Sequence, residues 1–318
     1  MNEINSISRR FPPILSAFMF LLVTLLGFVF LGPLIGGLVA MPFFEGSLED
    51  FSKQVMDPVN DPSMKEILFV LQGCATGIGL IVVPVLYIKY LESGDLKGLF
   101  CNAPLKPVAL ALVLLVVMSF MVVNSVFIEW NQSLKLPESL SGLEAALRAR
   151  EDVALKVTTF LTTFDTTAQF ILGMFVIAVL PAIGEELVFR GFIQHELHAG
   201  FKNPHVAIWI SAILFSAIHM QFFGFIPRML LGALFGYLYV WSGNLIYPIA
   251  AHFIQNGSQV IVLYMSQKGL TDINVDDPET FPWIVILSFS LVTFILLYYF
   301  RANFRISENI DGRLGKSL

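Results

Sequence analysis

Eight stretches of this chain are long and apolar enough to cross a bilayer, and that repetition leaves few architectures open. They run over approximately residues 13–40, 67–90, 107–128, 168–196, 205–220, 222–242, 244–265 and 282–301. A helix rises about 1.5 Å per residue, so roughly 20 residues cross about 30 Å of hydrocarbon. Inside lipid, an unpaired backbone group has no water to bond, so only helices and closed barrels span. A barrel would be written in short alternating segments, and these runs are continuous. The expectation is an all-α protein, a polytopic transmembrane helical bundle of about eight spans. Composition agrees: 14% of the 318 residues are charged, where soluble proteins average about a quarter. The first run is over-long and carries Gly32, Gly36 and Gly37 near its end, where it is expected to tilt or break. Arg9-Arg10 ahead of it would also suit a signal peptide. The run is too long for one and no small-residue cleavage site follows, so it is taken as a span.

The short connections give an orientation. Arg9 and Arg10, then Lys89, Lys97 and Lys106, then Arg190 and Lys202, then Arg301, Arg305, Arg313 and Lys316 fall on one side. The acidic sets Glu45, Glu49, Asp50, Asp57, Asp61 and Asp272, Asp276, Asp277, Glu279 fall on the other. Basic loops stay cytoplasmic, which predicts a multi-pass protein of the cell's inner (plasma) membrane with both termini in the cytoplasm. The net charge of −5 contains no basic block, so no nucleic-acid partner is expected; the lipid bilayer is the partner that the composition implies. Cys74 and Cys101 match no paired metal-ligand spacing and imply no disulfide.

One connection is long, from 129 to 167. Ser141-Gly142-Leu143-Glu144 has the pattern of a capping box. Leu143, Leu147, Ala154, Val157 and Leu161 then recur on one helical face, broken by Arg150. An amphipathic helix against the membrane or the bundle is predicted, serving either as a plain connection or as a gate. The chain so divides into 1–167 (three spans and this helix), a core over 168–265, and 266–318 (the last span and a tail).

Within this apolar text stands Pro181-Ala182-Ile183-Gly184-Glu185-Glu186-Leu187-Val188-Phe189-Arg190-Gly191. A charge near the bilayer centre costs on the order of 2.5–3.5 kcal/mol on insertion scales, so three within six residues need a purpose. Glu186 and Arg190 lie four apart on one helix face, acid first, the better order for an ion pair. Glu185 points about 100° away and is left free to act, unless the group is purely structural. Further polar groups follow: His219 in Phe215-Ser216-Ala217-Ile218-His219, and His252 with Asn256 one turn later in another run. Counting from the presumed cytoplasmic ends puts Glu185 about 16 Å deep, His252 about 12 Å and His219 about 22 Å, close enough to share one polar cavity once helix tilts are allowed. A carboxylate, two imidazoles and a carboxamide supply a general base, a second proton carrier and donors for an oxyanion. No Ser or Cys nucleophile accompanies them, so the chemistry that suits them is attack by an activated water. His195-Glu196-Leu197-His198 is one residue short of a zinc-protease motif and reads as a solvated helix end; Ser93-Gly94-Asp95 reads as loop.

Glu-Glu-x-x-x-Arg, Phe-x-x-x-His and His-x-x-x-Asn, in that order on successive apolar helices, resemble the CPBP family of intramembrane proteases. That family includes the CAAX prenyl endopeptidases and bacterial proteins linked to bacteriocin processing and self-immunity. The resemblance covers about residues 168–263, and it implies an endopeptidase acting on a peptide or protein substrate at the membrane. By that resemblance Glu185 and His219 activate the water, His252 and Asn256 hold the oxyanion, and Glu186 and Arg190 support the site. Its members have been described both as zinc enzymes and as metal-independent glutamate proteases, so the implied cofactor is either none or zinc, with Glu185, His219 and His252 as possible ligands. Direct activation by Glu185 is preferred, because Asn256 suits an oxyanion better than a metal. The alternative is a non-catalytic membrane protein, an immunity or scaffold factor or a transporter, that keeps the polar pocket without turnover.

Overall fold

The computed structural model describes residues 11–92, 105–271 and 281–314. Arg9, Arg10, Ser93-Gly94-Asp95, Lys97, Cys101, Asp272, Asp276, Asp277, Glu279 and Lys316, and the side chains of Arg305 and Arg313, lie outside the described residues. What is described is helical, with no strand. In order the helices are α1 (Pro13–Phe43), α2 (Leu48–Met56), α3 (Met64–Tyr90), α4 (Pro107–Ser133), α5 (Ser141–Thr162), α6 (Thr167–Phe201), α7 (Pro204–Ala217), α8 (Phe222–Ser242), α9 (Ile246–Gln267) and α10 (Trp283–Leu314).

Among the described residues six of these are long and apolar enough to cross a membrane: α1, α3, α4, α6, α8 and the Trp283–Phe304 part of α10. The two remaining expected spans differ for separate reasons. Helix α7 has only 14 residues, about 21 Å of rise, short of the hydrocarbon thickness. Helix α9 has the length, 22 residues, but carries His252, Gln255, Asn256, Ser258 and Gln259. Apolarity marks only the part of a helix that lipid touches. So α4 and α6 run about five residues beyond their apolar stretches, to Ser133 and Phe201.

Proline shapes three spans in the same way. Pro33, Pro84 and Pro181 each follow a widened helical turn, over Gly27–Leu31, Gly77–Val82 and Met174–Val179. A proline has no N–H for the carbonyl four residues back, and its ring crowds that carbonyl; opening the preceding turn relieves the crowding. A fourth widened turn, Leu187–Ile193, follows no proline and contains Arg190.

Small residues set the contacts between spans. Lipid tails are as apolar as leucine, so helices associate in membranes by close packing rather than by excluding water. Helix α1 does not break at its glycines; Gly32 and Gly36 are buried against α3. A Cβ on Gly32 would stand 2.6 Å from the Ala75 Cα, and one on Gly79 would collide with the Phe28 backbone. Gly184 admits α3 to α6 likewise: its Cβ would lie 2.7 Å from the Leu80 Cβ. Around α6 gathers the largest buried cluster, including Phe20, Leu80, Phe189, Phe192, Phe215 and Tyr239, with Phe20 stacked on Phe192 at 4.0 Å. Phe18, Phe30, Leu34, Ile284 and Phe294 point outward, as a lipid-facing surface requires.

Two local readings are corrected. Glu144 does not close a capping box on Ser141; it accepts the Leu136 N–H at 2.8 Å and pairs with Arg148. The box forms instead at the head of α2, between Ser47 and Asp50. Glu196, read as solvated, is fully buried.

Candidate active site

Glu185 and Glu186 lie in the middle of α6, just after the Pro181 turn, and face different partners. Glu186 is fully buried and Arg190 nearly so. Arg190 Nη1 donates to Glu186 Oε1 at 2.7 Å, the ion pair that the four-residue spacing predicts. Its other terminal nitrogen, Nη2, reaches across to α8 and donates to the Gly232 carbonyl at 2.9 Å. One turn on, Gln194 Nε2 donates to the Gly236 carbonyl at 3.2 Å. Both α8 partners are glycines, so α6 side chains reach backbone that a larger residue would cover; a Cβ on Gly236 would sit 2.7 Å from the Gln194 Oε1. The guanidinium is closed in by Phe215 of α7 at 4.7 Å and Phe235 of α8 at 5.5 Å from the ring centroids, contacts that attract a desolvated cation.

The same carboxylate oxygen serves a second helix. His252 Nδ1–H, from α9, donates to Glu186 Oε1 at 2.7 Å. That bond fixes the ring and turns its Nε2 toward Glu185, whose Oε2 is 3.9 Å away. Such a gap is too long for a direct bond and fits a bridging water. Phe235 packs on the His252 ring at 5.5 Å.

His219 lies just past the end of α7 and is half-buried. Its Nδ1 donates to the Phe215 carbonyl one turn back at 2.8 Å. A carbonyl can only accept, so Nδ1 carries the proton and Nε2 is the nitrogen left to exchange one. The Phe215 ring stands between the imidazoles, 5.1 Å from His219 and 6.1 Å from His252. Glu185, His252 and Arg228 all lie within electrostatic reach of His219.

Asn256 sits one turn beyond His252 on α9, and its Nδ2 donates to the Ile177 carbonyl at 3.3 Å. That is the carbonyl that Pro181, lacking an N–H, cannot serve. The carboxamide keeps a second N–H and its oxygen for other partners.

Glu185, Glu186, Arg190 and His252 are thus joined by contacts of 3.9 Å or less. His219 meets them through Phe215, and Asn256 is tied to α6 two turns before Glu185. As a zinc ligand set the site is incomplete: among the described residues no three His, Cys, Asp or Glu side chains gather closely enough to hold one ion, so Glu185, His219 and His252 are not assembled for a metal. Sequence reasoning missed Gly232 and Gly236, whose spacing of four is their only signal. It missed Arg228 as well, a cation at the head of α8 bonded to Gln221 Oε1 at 2.5 Å and within electrostatic reach of Glu185.

Residues 167–258, which contain all six of these polar groups, match the family described as type II CAAX prenyl endopeptidase Rce1-like. The chain is similar to the uncharacterized protein YpbD of Bacillus subtilis (strain 168), 33% identical over 82 residues, or 24% of this chain and 39% of that protein. It is similar also to the membrane-embedded CAAX protease MroQ of Staphylococcus aureus (strain USA300), 32% identical over 103 residues, or 30% of this chain and 41% of that protein. The chain thus spans about two fifths of the length of these curated relatives. No solved structure matches it.

Proposed function

We propose, from the match of residues 167–258 to the Rce1-like family, that this protein is an intramembrane endopeptidase of the CPBP family in which Glu185 activates the attacking water. The observation that carries this reading is the division of labour between adjacent carboxylates. Glu186 Oε1 is held by Arg190 and His252 at 2.7 Å each, so its charge is engaged. Glu185 is partly open, with 16% of its side chain exposed, and faces the His252 Nε2. A water bridging that gap would stand against a carboxylate able to take its proton.

The steps balance without a further reactant. Glu185 removes a proton from water as the oxygen attacks the scissile carbonyl carbon. The oxyanion is met by the second Asn256 N–H, and by His252 Nε2 when that ring carries both protons. His219 Nε2 and Glu185 pass the proton to the leaving amide nitrogen as the C–N bond breaks. Preorganised donors of this kind contribute about 2.7–4 kcal/mol each, and a positioned acid–base group about 10²- to 10⁴-fold. The donor set present does not assemble a metal site, so no step runs through one. Peptide or protein substrates reach the pocket from the cytoplasmic side, on the orientation in which both termini face the cytoplasm of the inner membrane.

The test is purified protein in detergent micelles, incubated with a peptide library and read by mass spectrometry. Discrete cleavage products are expected from the wild type and none from Glu185→Gln. Folded wild-type protein that cuts nothing, or a Glu185→Gln variant that cuts normally, refutes the reading.

A further inference from the structure

The arm of the site that bears His219 is built on a conformation that the local sequence does not favour. Between α7 and α8 the chain turns in four residues, and Met220, directly after His219, has φ of +56°. A non-glycine residue pays about 1–2 kcal/mol for that left-handed region, and such a turn persists only where its surroundings over-determine it. Nor does α8 cap itself: Gln221 precedes its first turn and makes no side-chain capping bond. The opening N–H groups of a helix have no partner within it.

Those donors are met from outside the segment that matches the family. Glu151, on α5, accepts the Phe223 N–H at 2.6 Å through Oε1. Arg148, one turn earlier, lies 4.0 Å over the Phe223 ring, which is buried. Asn131 at the end of α4 takes the Ile226 N–H at 2.8 Å and gives its own Nδ2–H to the Phe222 carbonyl at 3.1 Å. A carboxylate at a helix N-terminus also meets the positive end of the helix dipole. The next turn carries Arg228, bonded back to Gln221 two residues from His219.

We infer that Glu151 is a positioning residue for catalysis: an N-cap supplied by α5 that fixes the first turn of α8 and, through the strained turn at Met220, the place of His219. Helix α5 is then more than a connection between spans. It completes the site from the half of the chain that lacks the family's motifs. The inference rests on the peptidase reading above, and the experiment separates the two.

Glu151→Ala, Glu151→Gln and Glu185→Gln are compared with wild type on one peptide that the wild type cleaves. Loss of the cap should lower kcat by about 10- to 100-fold, the scale of an ångström-sized misplacement, with KM within about threefold. Glu151→Gln keeps the acceptor and loses the charge, so it should restore kcat to near wild type. Normal kcat in Glu151→Ala overturns the inference, as does a change confined to KM, or a Glu151→Gln variant as slow as Glu151→Ala. Should Glu151→Ala not fold, Glu151→Asp keeps the charge and draws the oxygen back by one methylene; it should show the same fall in kcat, and normal kcat overturns the inference. If the wild type cleaves nothing, the peptidase reading fails. The cap is then judged by hydrogen exchange: faster exchange over 218–224 in Glu151→Ala supports it, and unchanged protection overturns it.

Discussion

Arg190→Met puts the central ion pair to a quantitative test. The guanidinium is 1% exposed, bonded to Glu186 Oε1 at 2.7 Å and to the Gly232 carbonyl at 2.9 Å, and flanked by Phe215 and Phe235. Methionine fills much of the same space between those rings and makes favourable sulfur–aromatic contacts, so the loss is mainly electrostatic. Glu186 would be left as a buried charge with only His252 Nδ1–H as partner. Breaking a buried pair from one side costs about 3–5 kcal/mol, about a fifth or more of the roughly 5–15 kcal/mol that holds a typical domain together. The midpoint of thermal unfolding in micelles, followed by circular dichroism, should therefore fall by on the order of 10 °C, at a few degrees per kcal/mol. The decisive comparison is the double variant Glu186→Gln, Arg190→Met. It leaves no unpaired charge, and the carboxamide oxygen that replaces the carboxylate still offers His252 an acceptor, so the double should be more stable than Arg190→Met alone. A double variant no more stable than the single would show that the charge left on Glu186 is not what destabilises it.

Prolonged chelation should leave peptide cleavage unchanged, and activity that tracks bound zinc through a dialysis series would refute direct activation by Glu185. Asn256→Ala should lower kcat by about 10²- to 10³-fold, the cost of one oxyanion donor, measured as turnover at saturating peptide; a loss under fivefold would take Asn256 out of the reaction. Gly236→Ala should push Gln194 out of its bond to α8 and cost about 1–3 kcal/mol by overpacking, read as a lowered unfolding midpoint; an unchanged midpoint would mean that α8 shifts freely. The Leu136 N–H, and after it Arg148, hold the Glu144 carboxyl below the usual glutamate range. A depressed carboxylate contributes stability above its unfolded pKa and loses it as pH falls through the folded one. Proteolysis around 134–148 should thus accelerate only below about pH 4.5, and Glu144→Gln should remove that dependence.

What the sequence disclosed divides along a physical line. Helices were legible because apolarity along one chain is a local property, and so was the Glu186–Arg190 bond, which lies within one helix and needs only a spacing of four. The second use of Glu186, by His252, was not. It depends on the rotation and depth of α9 against α6, separated by 66 residues of sequence, and no local pattern encodes that register. Glu144 shows the converse limit: its spacing from Ser141 suits a capping box, yet the Leu136 N–H and Arg148 compete for the same carboxylate and win. Glu196 was misplaced because His195, Glu196 and His198 at the end of an apolar run look like an exit into water, whereas α6 continues to Phe201 and turns Glu196 into the bundle. The brevity of α7 was also hidden, since the apolar text runs through His219 although the helix stops at Ala217.

The glycine contact between α1 and α3 bears on how such a protein is made. Those two helices emerge early in synthesis, and their seam of Gly32, Gly36 and Gly79 needs nothing from the later chain to close. Helix α6 is the opposite case. Threaded alone into lipid it would expose Glu185 and the polar ends of the Glu186–Arg190 pair, at a cost of several kcal/mol, and the groups that complete their bonding, the Gly232 carbonyl and His252, come from α8 and α9, which are synthesised afterwards. The seam therefore supplies a finished wall, with Leu80 seated against Gly184, before the span that carries the site's charges arrives. Biogenesis of this fold is easiest if α6 lingers at that wall, half-sheltered, until its later partners are delivered.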